Sequence, residues 1–370
     1  MRAMRLIARA AAVLLTGGAA VVVLGTLLHR VPWLGLATTI GSAYPVWIVL
    51  AAVAAAVLSW FSWPSWKRTA LLAVALLTVA GGAVITGRMA AALGDVSVVR
   101  ALGIGAARSA TPDDEPVYLG SLRLSVYRPA ATTPAPVLVY VHGGGWIGGS
   151  RANHSADLRW FADRGWLTVS VGYTLSSADR HLWDVTPGQI ACALAWTARN
   201  AARYGGDPAR LSVTGDSAGG NLAMNAAGPG AGGPCAGPFP PVRAVAVTYP
   251  VVDAAAFHGN PDPVLGDDAR AMAAAYTGGT PAEFPERYAS LDPTRHLTAA
   301  TPPTLLIVGE GDHLVPPEGA YRYAAQARAS GAAVRLVRVP YAEHAFDAPA
   351  GSLGQQGYRT LTAAWLRDHG

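Results

Sequence analysis

One eleven-residue stretch, 211–221, limits the fold more than any other part of this 370-residue chain. Residues 211–214 read as a short strand, and from Ala218 onward the spacing is helical. Between them stands Gly215-Asp216-Ser217-Ala218-Gly219, followed by Gly220-Asn221. A strand that passes directly into a helix must bend sharply, and glycines on both sides of Ser217 permit the bend. Such a bend pushes the serine Oγ out at the strand end. The amides of the following helix aim at the same place, where negative charge is stabilised. A bare G-x-S-x-G in a glycine-rich chain carries little weight; with strand before and helix after, it marks Ser217 as a candidate nucleophile.

The surroundings fit that element. Residues 121–127 alternate as an early antiparallel strand would, and residues 136–141 and 167–171 are short apolar runs suited to buried strands. Residues 242–248, 304–308 and 334–339 complete the strand set, with helical segments, such as 187–204, between most of them. Alternating strand and helix implies an α/β fold with a mainly parallel sheet covered on both faces. Ligand sites of such sheets lie at the carboxyl ends of the strands. This texture begins at Val117, after the polar stretch 109–116 with its two prolines. We place a linker there, ahead of a catalytic domain at 117–370.

The region before the linker, 1–108, differs in composition. It holds three apolar stretches, about 7–28, 40–61 and 69–86. Each is close to the ~20 residues a membrane-crossing helix needs. Trp33, Tyr44, Trp47, Trp60, Trp63 and Trp66 lie near their ends, as interfacial rings do. Residues 1–110 also contain nine of the 28 Lys/Arg but one of the 23 Asp/Glu, so the basic balance belongs to this region. That pattern flanks membrane spans and is not a nucleic-acid footprint. Arg2, Arg5 and Arg9, with Lys67 and Arg68, put the N-terminus in the cytoplasm, whereas the other short loop carries Arg30 alone. Three crossings then place the catalytic domain outside the cytoplasm. The third stretch is the weakest, because Gly81, Gly82 and Gly87 interrupt it and Arg88, Arg100 and Arg108 follow. Without its crossing the domain is cytoplasmic. Cys192 and Cys235 form no C-x-x-C pair, which argues against a cysteine-based zinc site. They read as two unpaired small hydrophobes, with a disulfide open to an extracytoplasmic domain.

A second motif, His142-Gly143-Gly144-Gly145-Trp146, directly follows the apolar run at 136–141. Consecutive glycines let backbone amides approach a developing oxyanion, each worth about 3–4 kcal/mol. The expected donors are Gly143, Gly144 and Ala218, with His142 a structural hydrogen-bonding residue. A serine also needs a histidine base held by a carboxylate. In serine hydrolases of this layout the chain order is Ser, acid, His. His344 follows the strand 334–339 on a loop and is the candidate base. His313 adjoins the candidate acid, His369 ends the chain, and His258 and His296 have no following strand. Asp312 leaves the strand 304–308 at the expected place; Glu310 is the alternate, and Asp347 is too near His344 along the chain.

These residues resemble the hormone-sensitive-lipase-like carboxylesterases of the α/β-hydrolase superfamily. The resemblance rests on HGGGW at 142–146, YGGDP at 204–208, GDSAGGN at 215–221, GEGDHLVP at 309–316 and EHAF at 343–346. It covers roughly 117–368 and implies a Ser217–His344–Asp312 triad, hydrolysis of carboxylic esters of small molecules or lipids, and no cofactor or metal. Asp216 matches the acid often found before the nucleophile. The triple-span N-terminus lies outside the family pattern. The Gly/Pro-rich stretch 228–241 departs from it as a loop before a strand, and 176–183 is a candidate cap or an ordinary surface loop. Acyl transfer or deacetylation at the cell surface would use the same residues. A catalytically silent binding module would have lost a triad member or the glycines, and all are present.

Overall fold

The structure is a computed structural model that describes residues 2–63, 65–130, 134–228, 232–233, 235 and 239–370. The chain forms two compact units. One joins Met1–Ala106 with Gly309–His313 and Arg338–Gly357; the other holds Ala107–Val308, Leu314–Val337 and Tyr358–Gly370.

The second unit carries nearly all of an eight-stranded sheet. Its strands are β1 (Val117–Leu119), β2 (Leu122–Tyr127), β3 (Ala135–Val141), β4 (Leu167–Val171), β5 (Gly206–Asp216), β6 (Val245–Thr248), β7 (Thr304–Gly309) and β8 (Val334–Val339), in the order β1-β2-β4-β3-β5-β6-β7-β8. β2 is antiparallel to β1 and β4, whereas β4, β3, β5, β6 and β7 pair in parallel. Parallel neighbours need crossovers, and helices supply them: α5 (Ser155–Ala162), α6 (Thr186–Asn200) and α7 (Ser217–Ala226). β3 is apolar on both faces because helices cover both, whereas β4 turns Leu167, Val169 and Val171 to one side and the buried Thr168 and Ser170 to the other. Val137, Val139 and Val141 pack with Leu167, Val169, Val213, Ile190, Leu194 and Leu222 on one side. Tyr140 packs with Tyr127 and Leu158 on the other. Each such side chain stabilises the fold by about 1.5–3 kcal/mol. Between β6 and β7 lie α8 (Ala254–His258), α9 (Gly266–Thr277) and α10 (Pro285–Ser290). α11 (Glu318–Ala329) and α12 (Leu353–His369) follow β7 and β8.

One expectation needs correction here. Cys192 on α6 and Cys235 form a disulfide, with Cα atoms 5.5 Å apart at a sequence separation of 43. Sequence spacing says nothing about Cα proximity, which is why the unpaired reading stood. In the chain-entropy picture a loop of this length is worth about 4 kcal/mol. In the stretch at 176–183, residues 177–180 are exposed, and His181 Nδ1 meets the carbonyl of Ala275 on α9 at 2.8 Å. The expected loop at 228–241 falls largely outside the described residues.

The first unit is built on three long apolar helices: α1 (Arg2–Leu27), α3 (Pro45–Ser62) and α4 (Ser65–Leu93), with the short α2 (Thr38–Ala43) between the first two. Leu6–Leu27, Pro45–Ser62 and Trp66–Leu93 are long and apolar enough to cross a membrane. The stretch at 40–61 is two helices because Tyr44 precedes a proline, which disfavours helical backbone; its φ of −132° ends α2, and Pro45 opens α3. α4 is longer than the expected 69–86 and runs unbroken through its glycines. A Cβ on Gly81 would stand 2.5 Å from Val23 of α1, and one on Gly82 2.8 Å from Val49 of α3. Those glycines let the helices approach closely, as small residues do between membrane helices. Outward, Leu6, Leu14, Phe61, Trp66 and Leu77 are at least 70% exposed, so the bundle presents apolar faces. Arg9, the one charge in the first stretch, donates from Nε to the Ser62 carbonyl at 2.7 Å, at the negative end of α3. Arg9 and Lys67 lie over Trp63, and Arg68 over Trp60, so one end of the bundle gathers cations and rings.

Candidate active site

Ser217 is the first residue of α7 and directly follows β5. Its φ is +52°, a left-handed conformation that costs a side-chain-bearing residue about 1–2 kcal/mol. The first turn of α7 lies close against the end of β3, where a Cβ on Gly219 would collide with the carbonyls of Val141 and His142. Asn221 locks α7 from behind, donating from Nδ2 to the carbonyls of Val251 and Leu291, both at 2.7 Å. Ala218 is fully buried, and its amide belongs to the first helical turn, where N–H groups have no helical acceptor.

The glycine loop after β3 is tied to this turn by Asp216. Asp216 Oδ1 accepts from the Gly143 amide at 3.0 Å and from the Tyr140 hydroxyl at 2.6 Å. Burial, and then the Asp216 charge, push the Tyr140 hydroxyl well above its ordinary range, so it stays a protonated donor. Neither role is visible in the sequence: Tyr140 reads only as a strand residue, and its partner lies 76 positions away. An oxyanion would share the Gly143 amide with Asp216; Gly144, at φ +112°, turns the loop beside it. His142 is structural, as expected. It stacks on Tyr173 with ring centroids 4.1 Å apart, accepts from the Tyr173 hydroxyl through its carbonyl, and is held below its usual pKa by burial. Trp146 anchors the far end of the loop, buried and stacked on Tyr276 of α9 at 4.6 Å.

In the other unit, the loops after β7 and β8 bring the candidate acid and base together. His344 Nδ1 and Asp312 Oδ2 are 2.8 Å apart, with both side chains largely buried. A carboxylate only accepts, so Nδ1 carries the proton and Nε2 is left as the basic nitrogen. Glu310, the alternate acid, pairs instead with Arg338 at 2.6 Å. His313 is no rival base. Its Nδ1 meets Glu343 Oε2 at 2.5 Å and its Nε2 meets the His29 carbonyl at 2.7 Å, so both nitrogens are engaged. Glu343, read in the sequence only as part of the EHAF motif, is 3% exposed and sits at the centre of this arrangement.

A mainly parallel sheet covered by helices, in the strand order found here, is an α/β-hydrolase fold. Solved structures share the fold: esterase 2 of Thermogutta terrifontis, phosphonylated by sarin, aligns over 70% of this chain and 96% of its own at 24% identity and a TM-score of 0.60. Residues 124–326 match the BD-FAE family, and the chain belongs to it. Among curated proteins, Esterase LipQ of Mycobacterium tuberculosis is 33% identical over 223 residues, covering 58% of this chain and 51% of its own. Esterase LipC of the same organism is 32% identical over 244 residues, covering 63% and 58%. The chain thus spans about half the length of the curated relatives it matches.

Proposed function

We propose that this protein is a membrane-anchored serine esterase that cleaves carboxylic esters through a Ser217–His344–Asp312 triad. The observation that carries the reading is Ser217 at φ +52° on the turn between β5 and α7, a strain that positions a nucleophile. Support comes from the His344–Asp312 pair and from relatives named esterases. In the mechanism, His344 Nε2 takes the Ser217 proton as Oγ attacks the ester carbonyl. The oxyanion rests on the amides of Gly144 and Ala218, with Gly143 as third donor. His344 then protonates the leaving alcohol, and water, activated by the same histidine, releases the acid and restores the serine. A panel of acyl esters of graded chain length, given to the detergent-solubilised protein, tests the class. Turnover at some chain length is expected; none at any length, with deacylation of amides instead, would move the protein to the deacetylase reading.

We place the catalytic machinery outside the cytoplasm, anchored by three crossings. The cations near one bundle end, Arg9, Lys67 and Arg68, mark the cytoplasmic side. An independent support is that Thr38 and Ser42, between the first two spans, hydrogen-bond Glu343 in the loop after β8. That contact supports having the first interhelical loop and the chain beyond α4 on one side, the arrangement that an odd number of crossings gives. The Cys192–Cys235 disulfide fits an oxidising compartment. Protease added to intact cells is expected to remove the region beyond Thr111. Full protection, beside a cleaved external control, would put the enzyme in the cytoplasm.

A further inference from the structure

The N-terminal region does more than anchor. It reaches the loops that carry the acid and the base: Arg88 and the His29 ring meet Tyr341 at the surface, and a buried ion pair joins the two loops beneath. Glu343 Oε1 accepts from the amides of His313 and His344, at 2.7 and 3.0 Å. A single carboxylate oxygen therefore ties together the residue after Asp312 and the base itself. The other oxygen, Oε2, contacts His313 Nδ1 and accepts from the Thr38 hydroxyl at 2.8 Å. The Glu343 amide donates to Ser42 Oγ at 3.1 Å, and His313 Nε2 meets the His29 carbonyl at 2.7 Å.

The chemistry of these partners sets the protonation. A carboxylate and a carbonyl are both acceptors, so both nitrogens of His313 must donate, and its ring is an imidazolium. Burial acts to raise the Glu343 carboxyl, but the His313 hydrogen bond and charge, with the two amides, hold it below the ordinary carboxylate range. The pair is charged on both sides and capped by groups of the segment between the first two spans. A buried pair of this kind stabilises little relative to apolar packing, yet it specifies geometry. The geometry it specifies is the separation of the Asp312 and His344 loops.

We propose that His29, Thr38 and Ser42 of the membrane region, acting through the His313–Glu343 pair, position the acid and base loops, so that the N-terminal helices form part of the catalytic apparatus. His313 and Glu343 are positioning residues; they reach the chemistry only through Asp312 and His344. The proposal rests on the triad reading above.

Full-length variants test it, with kcat expressed per serine labelled by a fluorophosphonate, so that unfolded protein does not count. Thr38→Val and Ser42→Ala should each lower kcat about 10-fold and Glu343→Gln about 100-fold, with KM within about twofold, since small displacements of catalytic groups cost this much. Thr38→Ser keeps the hydroxyl and should restore wild-type kcat. Thr78→Val, whose hydroxyl donates within α4 to the Val74 carbonyl at 2.8 Å, should change nothing. If Thr38→Val and Glu343→Gln keep wild-type kcat per labelled site, shifting only the thermal midpoint, the contacts are scaffolding and the proposal fails while the triad stands. If Ser217→Ala, which carries no serine to label and is measured per mole of folded protein, keeps wild-type turnover, the triad reading fails and takes the proposal with it.

Discussion

Ser217→Ala is expected to reduce ester turnover by about 10⁶-fold and to abolish labelling by a fluorophosphonate probe. The size follows from the covalent route: without Oγ no acyl-enzyme forms, and what remains is the modest help of oxyanion donors and substrate binding. The variant is a clean one. Alanine keeps the Cβ and therefore the same left-handed strain at φ +52°, so stability should change by well under the about 1–2 kcal/mol that the strain represents. Asn221 still locks α7, and Asp216 still holds the Gly143 amide. Loss of activity with an unchanged thermal midpoint then reports on chemistry. Wild-type turnover and labelling in Ser217→Ala would move the nucleophile elsewhere.

Features set by local chain geometry were legible in the sequence; features set by distant packing were not. The turn at Ser217 has a strand before it and a helix after it within ten residues, so spacing and glycines suffice. Asp312 and His344 follow β7 and β8 by three and five residues, and loops after strands can be read the same way. Even the break between α2 and α3 has a local signal, Tyr44 before Pro45, which the apolar run at 40–61 conceals. The glycines of α4 carry a second meaning that the sequence does not show. Taken alone they weaken a helix; packed against Val23 and Val49 they allow close approach, and only the fold supplies those neighbours. The contact of Thr38 with Glu343 spans 305 positions and the disulfide 43, and neither leaves a period or motif behind.

Asp312→Asn is expected to lower kcat by up to about 10⁴-fold, whereas Glu310→Gln should stay within about threefold of wild type. The contrast follows from their partners. Asp312 Oδ2 stands 2.8 Å from His344 Nδ1, where an acceptor keeps the proton on Nδ1 and the lone pair on Nε2. An asparagine can turn its NH₂ group to the same nitrogen. Nδ1 then accepts, Nε2 carries the hydrogen, and the ring has no lone pair for the serine proton. Asparagine also lacks the negative charge that stabilises the imidazolium formed as Ser217 attacks. At 1.36 kcal/mol per decade, the full effect is about 5.4 kcal/mol of transition-state stabilisation. Glu310 is engaged by Arg338 at a half-exposed position, so its neutralisation removes a surface ion pair worth at most about 1 kcal/mol. Binding should be nearly untouched in both, so KM is the internal control: Asp312→Asn should act on kcat alone. Steady-state kinetics on the best ester of the chain-length panel make the measurement. A severe loss in Glu310→Gln with a mild one in Asp312→Asn would transfer the acid to Glu310 and would require the loop after β7 to rearrange before catalysis.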